Sequence, residues 1–158
     1  MPDVEIIYTR QDDSFPTLFE RSDLANKNDA DLFISIHCNA LSASKVTKGT
    51  ETYVLGLHKA NENLKVAKRE NASVLLEDNY ENNYDFDPNS DQGHIMLSMY
   101  QNAYLEQSIS FAEKVENSMA TVAKRRSRGV KQAGFLVLHQ TTMPSVLVET
   151  GFLTNQID

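Results

Sequence analysis

Cysteine is almost absent. Cys38 is the single one in 158 residues, so no internal disulfide can form and the redox compartment stays open. No apolar run approaches the roughly 20 residues of a membrane-spanning helix. No secretory leader is visible, because Met1-Pro2-Asp3 leads straight into strand-like residues. An excess of positive charge is missing as well. Lys and Arg number 15 against 22 Asp and Glu, a formal net charge of −7, which argues against general affinity for nucleic acid or anionic lipid. The chain opens inside a strand-like stretch and closes at Asn155-Gln156-Ile157-Asp158 just after a turn, as if cut at both ends.

What is present reads as globular. Hydrophobic residues make up 41% and charged residues 23%, at a length that suits one domain with a real core. Val4 to Arg10 is rich in β-branched residues and predicts a strand. A helix is expected from about Pro16, with Asp13 or Ser14 as its cap and Leu18, Phe19, Leu24 and Ala25 on its apolar side. Asp31 to His37 reads as a buried strand, and Thr50 to Leu55 as a further one. Between them, Leu41 to Gly49 is a polar loop placed where a binding loop is expected.

Residues 57–97 read as an insertion. Leu64, Ala67, Ala72, Leu75 and Leu76 have helical spacing, and the acidic, amide-rich stretch from Asn79 to Asp91 does not read as regular structure. One long helix is predicted from Ile95 to Ala123. The basic run Lys124 to Arg128 either complements that helix's C-terminal dipole or recognises an anionic group. Phe135 to His139 and Ser145 to Val148 read as short strands. The order is β-α-β-β-(insertion)-α-β-β, which predicts an α/β fold: a mixed, largely parallel sheet flanked by helices.

Two strand ends carry the chemistry. Leu32-Phe33-Ile34-Ser35-Ile36 runs into His37, and Ser145-Val146-Leu147-Val148 runs into Glu149 with Gly151 just beyond. A carboxylate ending a buried strand is costly without a cation, a metal or a proton to move. Histidine and glutamate together suit zinc hydrolysis, in which the metal lowers the pKa of a bound water and a carboxylate moves its proton. Glu149 fits either a metal ligand or the general acid/base. Cys38 is adjacent to His37, but strand alternation sends it to the opposite face, where a buried structural thiol is expected.

Three stretches, with Tyr8-Thr9-Arg10, carry a resemblance. They are Arg21 to Asn26 followed by Asp31 to Ala40, Arg128 to Leu138, and Met143 to Asn155. In this order they resemble the zinc-dependent N-acetylmuramoyl-L-alanine amidases of bacterial cell-wall turnover, over nearly the whole chain outside the insertion. The resemblance implies a peptidoglycan hydrolase, with residues 1–158 as one incomplete catalytic domain and zinc-activated water cleaving the amide between N-acetylmuramic acid and L-alanine of the stem peptide. It implies His37 as a zinc ligand and Glu149 as the catalytic acid/base. Two further family ligands, a histidine and a glutamate, would lie upstream of Met1, which leaves zinc occupancy and activity of this chain in doubt. His58, His94 and His139 are the remaining histidines that could substitute.

The insertion also resembles a helix that covers the metal in some cell-division amidases. Arg69-Glu70-Asn71-Ala72-Ser73-Val74-Leu75-Leu76 looks similar to it, making Glu70 a candidate autoinhibitory ligand, or else a residue on a solvated helix face. An activator protein that displaces the helix is then implied. So is a periplasmic or extracellular cell-envelope location. The alternative is a metal-free, non-enzymatic wall-binding or regulatory module built on the same fold.

Overall fold

The computed structural model describes residues 3–41, 44–57, 61–78, 80–84, 87, 90–99 and 103–158. Among these, four strands make one sheet: β1 (Phe33–Asn39), β2 (Thr50–Leu55), β3 (Ser127–Ala133) and β4 (Ser145–Phe152). Their spatial order is β1-β4-β2-β3. β1 runs parallel to β4 and β2 parallel to β3, while β2 and β4 are antiparallel. The mixed sheet flanked by helices is therefore as the sequence predicts.

β4 is central and buried on both faces. Val146 and Val148 point to one side, where with Val54 they pack against Ala112 of α5 (Leu105–Thr121). Leu147 and Glu149 point to the other. There Leu147 joins Phe33, Tyr53, Leu55, Phe135 and Leu138 in the larger core, together with Leu18 and Ala25 of α1 (Leu18–Lys27). The segment after β2 contributes Ala67 of α2 (Asn61–Asn71) and Val74 of the 3₁₀ turn Ala72–Leu76, and α4 (Asp91–Ser98) contributes Leu97. Between that turn and α4 lies a single helical turn, α3 (Tyr80–Asn83), where no regular structure is expected.

Several expectations are overturned. Val4 to Arg10 is not a strand: no strand of the sheet bonds to it, and Val4, Ile6 and Tyr8 are exposed. A strand needs a neighbour to satisfy its backbone, and β-propensity alone supplies none. α1 is capped by Thr17, not Asp13 or Ser14. The Thr17 hydroxyl accepts from Glu20 N–H at 3.1 Å while the Glu20 carboxylate accepts from Thr17 N–H at 2.7 Å, a reciprocal capping box.

Phe135 to His139 is not a strand either. It holds α6 (Leu136–His139), and the strand lies earlier, at β3. An apolar run buried all round fits both states, and here Asn71 at the end of α2 favours the helix. The Asn71 side chain accepts from Leu136 N–H at 2.9 Å and donates to Gly134 O at 2.8 Å. Gly134 also lies against α4, so that a Cβ on it would meet Ser98 N at 2.9 Å. The predicted long helix is two, α4 and α5.

Cys38 is exposed rather than buried, although it does face away from His37, with Sγ 3.3 Å from Thr150 Oγ1. Ile34 and Ile36 share its face and are exposed too, so β1 is buried on one face only. α5 packs on β2, β3 and β4 and leaves that outer face of β1 uncovered among the described residues.

Candidate active site

Register builds the site. His37 is the parallel partner of Glu149, and Glu51 is its antiparallel partner. Directly paired residues point to one face, so His37, Glu149 and Glu51 form a row across β1, β4 and β2. α2 lies over this row. Glu70 Oε2 is 2.7 Å from His37 Nδ1. Its other oxygen accepts from Arg69 Nε at 2.9 Å and Nη2 at 2.7 Å. Arg69 Nη1 donates to Ala40 O, just past β1, at 2.5 Å. The helix therefore grips the sheet end at two points, His37 and Ala40. Beneath it lies a cavity of about 220 Å³, bounded by Phe15, Leu18, Arg21, His37, Arg69 and Glu70 among others.

Glu149 stands apart from its neighbours. Its side chain is completely buried, and neither oxygen has a hydrogen-bond partner among the described residues. Arg69 Nη2 is 3.6 Å from Oε1, an ion-pair distance too long for a hydrogen bond. Burial pushes this carboxyl up to about 7, the Glu70 charge adds to the shift, and His37 and Arg69 oppose it. A carboxyl poised near neutrality can both take and return a proton. Burial works on Glu70 in the same sense, but there the hydrogen bonds from His37 and Arg69 win and hold it below the ordinary range.

The sequence reading left out a second carboxylate cluster. Glu51 accepts from Arg128 Nε at 2.5 Å, Lys131 Nζ at 2.7 Å, Tyr53 O–H at 2.7 Å and Asn39 Nδ2 at 3.3 Å. Its signal in the sequence was an acidic residue inside a strand that is apolar or hydroxylic elsewhere. Arg125 of the basic run accounts for itself differently: it donates to Thr150 O at 3.0 Å and pairs with Asp158 at 2.9 Å.

The other histidines do not join the row. His94 is buried behind α2, its Nδ1 3.2 Å from Asn71 Nδ2. His139 ends α6, where burial lowers its pKa. His58 lies outside the described residues. Among those residues no group of three or more His, Cys, Asp or Glu side chains could hold a metal ion. An apolar groove of about 370 Å³ on α5, lined by Phe111, Val115, Met119 and Val122, lies across the sheet from Glu149 and carries no acid or base beyond Lys114.

A family profile described as N-acetylmuramoyl-L-alanine amidase matches residues 2–158. The N-acetylmuramoyl-L-alanine amidase AmiC of Escherichia coli O6:H1 is 33% identical over 160 residues, covering 96% of this chain and 36% of that protein. AmiA of Escherichia coli K12 is 30% identical over 149 residues, covering 93% of this chain and 50% of that protein. The chain thus spans half or less of the length of these curated relatives. Among solved structures, the amidase of Clostridium difficile aligns with a TM-score of 0.61 at 25% identity, over 97% of this chain and 57% of that one. AmiC2 of Nostoc punctiforme aligns with a TM-score of 0.58 at 24% identity, over 95% of this chain and 56% of that one, a likeness of fold.

Proposed function

The chain belongs to the N-acetylmuramoyl-L-alanine amidase family, and we propose that it cleaves the amide between N-acetylmuramic acid and L-alanine of peptidoglycan, with Glu149 as the proton carrier. The observation behind this reading is the pairing of a fully buried carboxyl without hydrogen bonds with His37 in one row of the sheet. Water attacks the carbonyl carbon and loses a proton to Glu149. The C–N bond then breaks as Glu149 returns that proton to the leaving amine. The products are a lactyl carboxylate and a peptide with a free amino terminus. A group near neutrality is matched to both transfers.

Zinc is general in this family, and His37 is the residue here suited to bind it. The described residues do not fit a complete catalytic site. His37 and Glu70 face one another as two donors, and such a site takes three protein ligands. The steps above are accordingly carried by Glu149 and water.

In this reading residues 57–97 are an insertion, and α2 is an inhibitory strap. Glu70 occupies His37, and Arg69 anchors the strap to the backbone at Ala40. An activator protein at the cell envelope, periplasmic or extracellular, would draw the strap aside. The test is hydrolysis of purified sacculi by the full-length protein and its Glu149→Gln variant. Loss of new amino termini with the fold retained supports the assignment. Undiminished release by the variant would remove Glu149 from the chemistry, and no release by either protein would favour a binding module.

A further inference from the structure

The row that holds Glu149 continues past it, and its far side carries surplus positive charge. Glu51, cross-strand from Glu149, is buried, with a side chain 3% exposed. Arg128 and Lys131 both reach its Oε1 and remain partly open to solvent, at 31% and 23%. Tyr53 and Asn39 already supply neutral donors to Oε2. One cation would balance Glu51. The second leaves a local charge of plus one in a chain whose net charge is −7.

Among the described residues no other carboxylate lies in ion-pair range of either cation, and neither makes a further hydrogen bond. Arg128 lies over the Phe152 ring at 5.4 Å and Lys131 over the Tyr53 ring at 5.7 Å. The rings hold the cations from the side and consume none of their N–H groups. Gly129, at a φ of 84°, sits where the register between β2 and β3 shifts and gives the strand room to turn beside Arg128.

We propose that Arg128 and Lys131, positioned by Glu51, form a subsite for a carboxylate on the peptide side of the substrate. This rests on the amidase reading, and it adds a specificity device to the same site. The geometry sets which carboxylate. β3 lies two strands from β4. At about 4.8 Å per strand its backbone is about 10 Å from Glu149, and the charged heads of Arg128 and Lys131 reach back to Glu51, one strand from Glu149, so the recognised group lies no more than about 10 Å away. An extended peptide covers this distance in about three residues. The recognised group is therefore a free carboxylate within about three residues of the scissile amide.

The probes are a muramoyl tripeptide with free carboxyls and the same peptide with its carboxyls amidated. Affinity of the 158-residue chain for each is measured by NMR titration. The free acid is expected to bind about tenfold more tightly, in line with a charge-assisted hydrogen bond at a partly exposed site. Lys131→Gln should erase most of that preference, while Lys131→Arg should keep it. A purely structural role would weaken both peptides equally. Equal wild-type affinities for acid and amide, or a preference that survives Lys131→Gln, would overturn the subsite. Should Lys131→Gln fail to fold, the wild-type comparison and Lys131→Arg still decide. Cleavage assays with the full-length protein separate the two ideas. Equal KM for acid and amide removes the subsite and leaves the amidase reading, whereas acid-selective binding without cleavage of either peptide, even after Arg69→Ala loosens α2, removes the amidase reading alone.

Discussion

Glu149 and Glu51 are neighbours across two strands, both buried, and opposite in nearly every other respect. Glu51 meets two cations, a phenol and an amide, and the hydrogen bonds from Lys131, Arg128 and Tyr53 overcome the cost of burial and hold its pKa below the ordinary range. Glu149 meets no hydrogen-bond donor among the described residues, and burial leaves it near 7. A protein that needed a carboxylate only for structure would treat both as it treats Glu51. The difference separates a carboxyl held as a fixed charge from one that burial brings near neutrality, as the proposed proton carrier requires.

The largest expected effect breaks the comparison at the mobile end. Glu149→Gln should lower hydrolysis by about 10³-fold in the full-length protein, the usual scale for a lost general acid/base. Glu51→Gln breaks it at the fixed end. It removes the shared anion from Arg128 and Lys131, and should cost about 2–3 kcal/mol in urea denaturation, discounted because both cations are partly solvated. If Glu51→Gln proves neutral in stability, the contrast between the two carboxyls has been overdrawn.

Titration sharpens the same contrast. The Glu149 carboxyl is raised from 4.5 to about 7 on folding. Its neutral form is the one the fold favours, so its contribution is complete below about pH 4.5 and is lost as pH rises to about 7. The difference amounts to about 3 kcal/mol in the metal-free chain. Glu51 and Glu70 act with the opposite sign, since their lowered pKa values add stability as pH rises through them. Chemical denaturation across pH 4–8 should show a downward component that Glu149→Gln abolishes. A pH profile identical in wild type and variant would sink the raised carboxyl.

Much of this site was legible in the sequence because it depends on strand ends. An apolar run terminated by Glu149 and another by His37 place both residues whatever the surrounding order, and parallel pairing then aligns them. The Glu51 cluster was not legible, because its four donors come from β1, β2 and β3 and meet only once the strand order is known. The same non-local dependence explains the misread elements. Val4 to Arg10 has strand composition and no strand beside it, and the helix within Phe135 to His139 has its first N–H held by Asn71, from 65 residues earlier in the chain. Ile36 and Cys38 alternate correctly, but only the packing of α5 decides that their face stays bare.

The smallest effect concerns the strap, and the way it is tethered dictates how it must be tested. Removing residues 60–95 would be the direct approach, but Asn71 accepts from Leu136 N–H and Glu77 accepts from Leu18 N–H at 2.8 Å. Deletion would strip partners from α6 and from the first turn of α1, and a loss of fold would mask any gain of activity. Arg69→Ala is the cleaner change. Arg69 is 38% exposed and joins Glu70 and Ala40, and because it also stands 3.6 Å from Glu149 the pH profile of hydrolysis is read beside the rate. Losing these contacts should cost the whole protein no more than about 1 kcal/mol. Nearly all of that falls on the strapped state, which shifts the balance toward an uncovered row by about fivefold. Basal hydrolysis of sacculi by the full-length protein should rise by about that factor, with an unfolding midpoint close to wild type. An unchanged basal rate would mean that α2 grips the sheet end without regulating it, and that the bond between Glu70 and His37 is structural.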